Sequence, residues 1–218
     1  MKTAAVIPAY MEEKTIGEVV RRTRKYVDYI VVVDDGSMDD TSKNAREADI
    51  VIRHPVNMNK GFSMITGIEA AIREGADVIV SIDADDQHDP EDIPRFINLL
   101  SEEKLDIVFG SRALNKKMPP VLRFGNWFLT NTTHFLYGIR VTDTQSGYRA
   151  FTKEAYTKIK WTSRDYRVET EMIINTAKNK LRYKELTINT RYISAYKGTT
   201  VVDGMKIFAS LLIWKITR

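Results

Sequence analysis

Val78-Ile79-Val80-Ser81-Ile82-Asp83-Ala84-Asp85-Asp86-Gln87-His88 is a short apolar run that breaks abruptly into carboxylates. Its first part has the length and composition of a strand buried on both faces of a parallel sheet. Asp83 and Asp85 then fall at the carboxyl end of that strand, where open α/β sheets place their ligands. Two close carboxylates repel each other unless a cation shares them. An Asp-x-Asp in this position therefore points to a hard divalent ion, Mg²⁺ or Mn²⁺, with room left for phosphate oxygens. A polar turn before the helix that starts near Pro90 would account for one such pair, but not for a second strand that ends the same way.

That second strand is Ile30-Val31-Val32-Val33, running into Asp34-Asp35-Gly36-Ser37 and then Asp39-Asp40-Thr41, a Gly turn followed by helix-capping residues. The first strand, Ala4 to Tyr10, also leads into a polar turn, Met11-Glu12-Glu13. Together these strand ends would line one edge of a sheet. The ordered set Pro-x-Tyr-x-Glu, Asp-Asp-Gly-Ser-x-Asp-x-Thr and Asp-x-Asp resembles the nucleotide-sugar-binding half of family 2 glycosyltransferases. The resemblance implies an α/β chain of GT-A fold, a Rossmann-like, mostly parallel sheet flanked by helices.

Size and composition agree. A chain of 218 residues fits one large α/β domain with a substantial core. It has no cysteine, so no disulfide framework, and a cytosolic setting is compatible. The first strand begins almost at once, which predicts no signal peptide, and the apolar stretch Ile207 to Trp214 is too short to span a bilayer. The expected location is the cytoplasm or the cytoplasmic face of a membrane. The net charge of +4 is unevenly spread, with Lys178, Lys180, Arg182, Lys184, Arg191, Lys197, Lys206, Lys215 and Arg218 in the last third. A basic end of this kind suits anionic lipid or phosphate; no nucleic-acid motif accompanies it, so no nucleic-acid partner is expected.

Strands and helices alternate to about residue 110, which predicts a parallel sheet with right-handed crossovers. Helices are expected over Lys14–Tyr26, Asp40–Glu47, Lys60–Glu74 and Pro90–Glu103, with further strands at Ile50–Arg53 and Asp106–Gly110. Pro119-Pro120 then marks a rigid turn before an aromatic-rich helix or helix pair, Arg123–Tyr137. The expected organisation is a single domain over 1–218: a nucleotide-sugar half (1–112), an acceptor half (113–204) and an amphipathic helix (205–218).

The resemblance continues downstream and narrows. Gly110-Ser111-Arg112, Asp143-Thr144-Gln145-Ser146-Gly147-Tyr148-Arg149-Ala150-Phe151 and the run from Asp83 to Pro94 are similar to segments of the dolichyl- and undecaprenyl-phosphate mannose or glucose synthases. The Val168–Met172 and Glu185–Tyr192 segments extend the match. What this implies is specific. Asp85 is the first choice for the metal, with Asp83 and Gln87 after it, and the ion would neutralise the leaving nucleoside diphosphate. Pro8, Tyr10, Glu12 and Asp35 would border the base and ribose, with Asp83, Ala84 and Asp85 completing the donor site; Asp34 has the alternative of a turn residue only. Arg112 and Arg123 are candidates for gripping phosphate, guanidinium offering paired donors. Gln145, Ser146 and Arg149 would face the sugar and acceptor phosphate, Lys197 also lies on the acceptor side, and Arg149 has the alternative of an internal ion pair. Asp85, Arg112 and Arg149 form the expected catalytic set. His88 is read as a turn or supporting residue.

The acceptor decides what kind of catalyst is needed. A sugar hydroxyl requires a general base. A phosphate monoester is largely dianionic near neutral pH, its second pKa being about 6. Transfer to phosphate thus rests on positioning and electrostatics, and single displacement inverts the anomeric centre. Ser194-Ala195-Tyr196-Lys197-Gly198 departs from the Gly-x-Ser-Lys of mannose synthases, and Glu185 to Tyr192 looks more like relatives using uridine-linked glucose or N-acetylglucosamine, so UDP-sugar is preferred with GDP-mannose kept open. Rival readings are a saccharide acceptor, a non-catalytic nucleotide-sugar-binding partner, a sugar nucleotidyltransferase and a receiver domain. The third lacks its Gly-rich basic loop after the first strand, and the fourth needs only about half this length.

At the carboxyl end, Phe208, Leu211, Leu212 and Lys215 fall at helical spacing beside Ile207, Trp214 and Arg218. The stripe fits a helix lying in a membrane interface or one packed on the core, and a polyprenyl-phosphate acceptor favours the membrane.

Overall fold

The computed structural model describes residues 1–112, 120–191 and 201–217. Seven strands form one sheet in the order β3-β2-β1-β4-β6-β5-β7. β1 (Thr3–Ala9), β2 (Tyr29–Asp34), β3 (Ile50–Arg53) and β4 (Val78–Ser81) are mutually parallel, with β1 central to the group, paired to β2 on one side and β4 on the other. All seven residues of β1 are buried. It has a neighbour on each edge and helices on each face, the setting in which a strand reads as a continuous apolar run.

One face is covered by α3 (Lys60–Arg73), α6 (Lys153–Ile159) and α7 (Val168–Lys178), whose Met64, Ile68, Tyr156 and Met172 pack on Val6, Val33 and Phe109. The other is covered by α1 (Ile16–Thr23) and α4 (Ile93–Glu102), which bring Ile16, Val20 and Phe96 onto Ile7, Val32 and Val80. Each large aliphatic chain so buried contributes about 1.5–3 kcal/mol. α4 follows a 3₁₀ turn at Pro90–Asp92, capped by the Asp89 carboxylate accepting from the Glu91 N–H at 3.2 Å. α2 is only Thr41–Asn44, shorter than the helix expected to Glu47. The chain must turn into β3 there, and the Asp49 carboxylate fixes that turn by accepting from Ile30 N at 2.6 Å and Arg24 Nη1 at 2.5 Å.

The second half adds two strands that periodicity did not expose. β5 (Ile107–Arg112) does not pair with β4: β6 (Arg149–Thr152) lies between them, antiparallel to both, and β7 (Tyr183–Ile188) pairs parallel with β5 on the outer edge. α5 (Pro120–Tyr137) is one continuous helix and packs against α8 (Val201–Thr217) and α7. The Pro119 half of the expected turn, Lys197 and Arg218 lie outside the described residues.

Candidate active site

The sheet order reverses between β1 and β4, the topological position where open α/β sheets leave a crevice. A cavity of about 500 Å³ opens there, and Pro8, Tyr10, Glu12, Asp35, Asp83 and Asp85 are among the residues lining it. The three strand-end motifs thus meet in one cleft. The hydroxyls of the Asp-Asp-Gly-Ser-x-Asp-x-Thr motif tie its walls together. Ser37 Oγ accepts from Met11 N at 2.9 Å, and Thr41 Oγ1 accepts from Glu12 N at 2.8 Å. Gly36 turns at φ +75°, a conformation L side chains rarely adopt. Asp34 is wholly buried and accepts from the Ser37 N–H at 3.0 Å and from the Ser42 hydroxyl, so of its two readings the turn residue is the one observed.

Asp83 is engaged by a residue the motifs did not flag. Lys60, at the first turn of α3, places Nζ 2.6 Å from Asp83 Oδ1 and 2.8 Å from Glu169 Oε1 of α7. Burial opposes the charge on Asp83, but Lys60 outweighs it and the carboxyl sits below its ordinary range. Lys60, although also buried, is held above its ordinary value by Asp83 and Glu169. Asp85 behaves in the opposite way: burial first, then the Asp83 charge, push its carboxyl up to about 7. Gln87 supports it through the main chain, donating its N–H to Asp85 Oδ1 at 3.0 Å. Gly147 closes the back of this cluster; a Cβ there would stand 2.8 Å from both Asp83 Oδ2 and Lys60 Nζ. His88 is buried and stacked on Tyr148 at 5.1 Å between ring centroids, and burial lowers its pKa to about 4, a neutral supporting ring.

The rim opposite β1 comes from the second half. Gly61 N–H donates to Arg164 O at 2.6 Å, and Trp161 Nε1 to Gly61 O at 2.9 Å, strapping 161–164 onto the start of α3. Glu171 takes the N–H groups of Thr162 and Ser163 at 3.1 and 2.9 Å. This carries Tyr166 over the cleft, its ring centroid 5.9 Å from Lys60 Nζ, and Asp203 of α8 joins the same lining. The only advance signs of these residues were the polar run Asn57-Met58-Asn59-Lys60-Gly61 before a helix and the pair of acids in Val168–Met172.

The acceptor-side candidates are placed differently. Arg112 is held in a fork by Asp143, Nε to Oδ2 at 2.6 Å and Nη2 to Oδ1 at 3.0 Å. Although burial works against it, Arg112 keeps the Asp143 carboxyl below its ordinary range. Arg149, expected to face the acceptor phosphate, is 1% exposed. It opens β6 in mid-sheet, its guanidinium donates to Ser146 O at 3.1 Å and Glu169 O at 2.7 Å, and it stacks over Phe109 at 5.1 Å. Burial brings its pKa down to about 10. Its other expected reading, an internal ion pair, is met only in its location: the guanidinium is internal, but the partners it bonds are main-chain carbonyls and not a carboxylate. Ser146 is buried, and Gln145 Nε2 donates inward to Thr144 and Thr170 at 3.0 and 3.2 Å. Arg123 is exposed on α5. None of Arg112, Arg123, Gln145, Ser146 and Arg149, nor the Gln87 side chain, lines the cleft.

Residues 4–198 match the family model for glycosyl transferase family 2. The chain belongs to that family. It is similar to the UDP-N-acetylglucosamine–dolichyl-phosphate N-acetylglucosaminyltransferase of Methanococcus voltae, 39% identical with 98% of this chain and 96% of that protein aligned. The dolichyl-phosphate hexose transferase of Haloferax volcanii is 31% identical over 86% of this chain and 82% of its own length. The fold matches glucosyl-3-phosphoglycerate synthase from Mycobacterium tuberculosis, solved with Mn²⁺, UDP and phosphoglyceric acid, at a TM-score of 0.77 and 21% identity over 99% of this chain and 78% of that one. The protein is therefore a family 2 glycosyltransferase of GT-A fold.

The donor set also bears on a metal. Among the described residues no three His, Cys, Asp or Glu side chains form a metal cage. Asp83 and Asp85 nevertheless supply neighbouring oxygen donors, and the Asp85 carboxyl, raised first by burial and then by the Asp83 charge, is one that a shared cation would favour in its ionised form. Such a set fits an ion that completes its coordination from substrate phosphates and water, as Mg²⁺ does.

Proposed function

We propose that this glycosyltransferase moves a hexose or N-acetylhexosamine from a nucleoside-diphosphate sugar to the phosphate of a polyprenyl (dolichyl) phosphate, with divalent metal and inversion at the sugar. The observation that carries the reading is the Asp83/Asp85 pair at the end of β4, in one cleft with Pro8–Glu12 and Asp35. Asp85 would hold the Mg²⁺ or Mn²⁺, with Asp83 beside it, and the ion would supply charge neutralisation to the departing diphosphate. The chain's own part is positional. Pro8, Tyr10, Glu12 and Asp35 hold the nucleoside, and Lys60 keeps Asp83 ionised. Tyr166 and the 161–166 strap shield the sugar from water. An acceptor phosphate needs no proton removed before attack.

The acceptor's chain keeps it in a bilayer, and no described helix is long and apolar enough to cross one. The enzyme would meet the lipid from the surface. α8 supports this reading in two ways. Ile207, Leu211 and Trp214 pack inward on Leu129 and Ile174. Val202, Met205, Leu212, Ile213 and Ile216 are exposed, as are Phe124, Trp127, Phe128 and Phe135 on neighbouring α5, with Phe128 and Phe208 in ring contact at 5.1 Å. An apolar face with exposed Arg123, Lys206 and Lys215 around it suits an anionic bilayer, and Asp203 joins the same helix to the cleft. Incubation with a panel of radiolabelled nucleotide sugars and polyprenyl phosphate, with and without chelator, tests the whole. Metal-dependent label in an organic-extractable lipid is expected; label only in water-soluble saccharide would assign a different acceptor.

A further inference from the structure

Asp35 reaches the cleft with half of its carboxylate already committed. Its Oδ1 accepts from His54 Nδ1 at 2.8 Å and from the Met58 backbone N–H at 2.8 Å. An ionised carboxylate only accepts, so His54 carries its proton on Nδ1, and its Nε2 faces Thr66 Oγ1 at 3.1 Å. Those two bonds use both lone pairs of Oδ1. Among the described residues Oδ2 accepts no hydrogen bond, and it is not one of the buried unpaired polar atoms. Asp35 as a residue is 3% exposed and lines the cleft, so Oδ2 is the one acceptor it presents there.

The arrangement is rigid. The His54 main chain is fixed by its N–H donating to Asp34 O at 2.9 Å, and its ring is packed against Phe62 at 5.7 Å between centroids. The ring sits behind Asp35 at the end of β3 and has no place in the cleft lining. It acts on a ligand only through the carboxylate it holds.

We infer that His54 is a specificity-determining, positioning residue: by occupying one oxygen of Asp35 it makes the site select a base that offers a single ring N–H donor, an imide such as uracil. This rests on the reading of the cleft as a nucleotide-sugar site. The selection follows from the donor and acceptor edges of the bases. Uracil offers N3–H between two carbonyl groups, one donor for one oxygen. Guanine presents N1–H and its amino group side by side, a pair that matches both oxygens of a carboxylate and finds only one here. Cytosine turns the lone pair of N3 toward the acceptor and is repelled. A hydrogen bond to a charged group is worth about 1.5–3 kcal/mol, so the discrimination expected is about 10- to 150-fold.

Calorimetric titration of the full chain with UDP, CDP and GDP, in MgCl₂ or MnCl₂, tests this. Wild type should bind UDP at least about 10-fold more tightly than CDP or GDP. His54→Phe removes the side-chain donor, leaves Oδ1 with the Met58 N–H alone and one lone pair open, and should bring UDP and GDP to within about 3-fold, whereas His54→Asn, whose amide can take the place of Nδ1–H, should restore the preference. GDP binding as tightly as UDP to wild type overturns the inference even if the Phe variant fails to fold. An unchanged UDP-to-GDP ratio in a folded Phe variant overturns the role of His54. Failure of every nucleoside diphosphate to bind would instead remove the nucleotide-sugar reading on which it stands.

Discussion

Two polar motifs in this chain sit at the same end of the sheet and meet opposite fates. In the first, the carboxylates after β2 and β4 turn outward, and Asp35, Asp83 and Asp85 line the cleft. In the second, Asp143 to Phe151 turns inward: Asp143 is spent on Arg112, Ser146 is buried, and Arg149 opens β6 in mid-sheet. Groups at the end of a central parallel strand have no further strand to pair with and face a crevice. Groups leading into an inserted antiparallel strand are enclosed by it. A polar motif is therefore a ligand site or a structural joint according to whether its strand ends or begins there.

The sharpest test of the contrast is Asp85→Ala. Loss of a group that stabilises charge on the reacting phosphates should lower transfer by about 10²–10³-fold or more, with the thermal midpoint preserved because little packing is removed. Surviving activity in metal-containing buffer would break the outward half of the comparison.

Arg149→Ala tests the inward half. It removes two hydrogen bonds to main-chain carbonyls, leaves the Phe109 ring without its cation, and opens a void beside β5. A loss of about 3 kcal/mol in denaturant unfolding is expected. Unchanged stability with lost transfer would return Arg149 to the substrate-binding role that its motif implies.

This contrast also explains what was legible beforehand. Strands β1, β2 and β4 announce themselves as apolar runs interrupted by acids, so the parallel half and its carboxylates can be read directly. β6 is Arg149-Ala150-Phe151-Thr152, four residues opened by a charge, and an Arg reads as surface because buried ones are rare. Lys60 lies at a helix start with no local mark of its two acidic partners, which come from β4 and α7. His54 follows β3 as an ordinary polar residue until the fold sets it against Asp35. What pattern cannot supply is which distant groups a charge will meet.

A smaller effect separates the two faces of α8. Leu211 is fully buried, and Leu211→Ala should cost about 2–5 kcal/mol of stability. Ile213 is 57% exposed and Ile216 86%. Replacing both with Glu should leave stability within about 0.5 kcal/mol, spare nucleotide affinity, and weaken sedimentation with anionic liposomes about 10-fold or more. Removal of 205–217 altogether would instead strip Ile207, Leu211 and Trp214 from the core, so it tests folding rather than docking. Full liposome binding by the double Glu variant would move the membrane contact away from α8.

The smallest expected effect concerns proton linkage within the Asp83/Asp85 pair. In the folded, metal-free chain Asp85 holds its proton up to about pH 7, whereas its ordinary value is 3.8. Between those values the folded state binds more protons than the unfolded one, so stability due to Asp85 falls as pH rises through this window. Asp83 has the opposite sign: its lowered pKa contributes stability above the ordinary value and loses it on acidification, below the range in question. His88, whose pKa is lowered to about 4, also titrates between the two states, but it is present in both proteins being compared. Asp85→Asn removes the Asp85 contribution together with its repulsion of Asp83, whose own titration lies below this window. The variant should melt a few degrees above wild type at pH 8 without metal, with the gap shrinking toward pH 5, where wild-type Asp85 is itself protonated. Adding Mn²⁺ with UDP at pH 8 should raise the wild-type midpoint more than that of the variant, because ligand binding stabilises only the chain that can hold the ion. A gap of the same size at both pH values would mean that Asp85 is ionised throughout, and that the two carboxylates at the end of β4 share no strain for a metal to relieve.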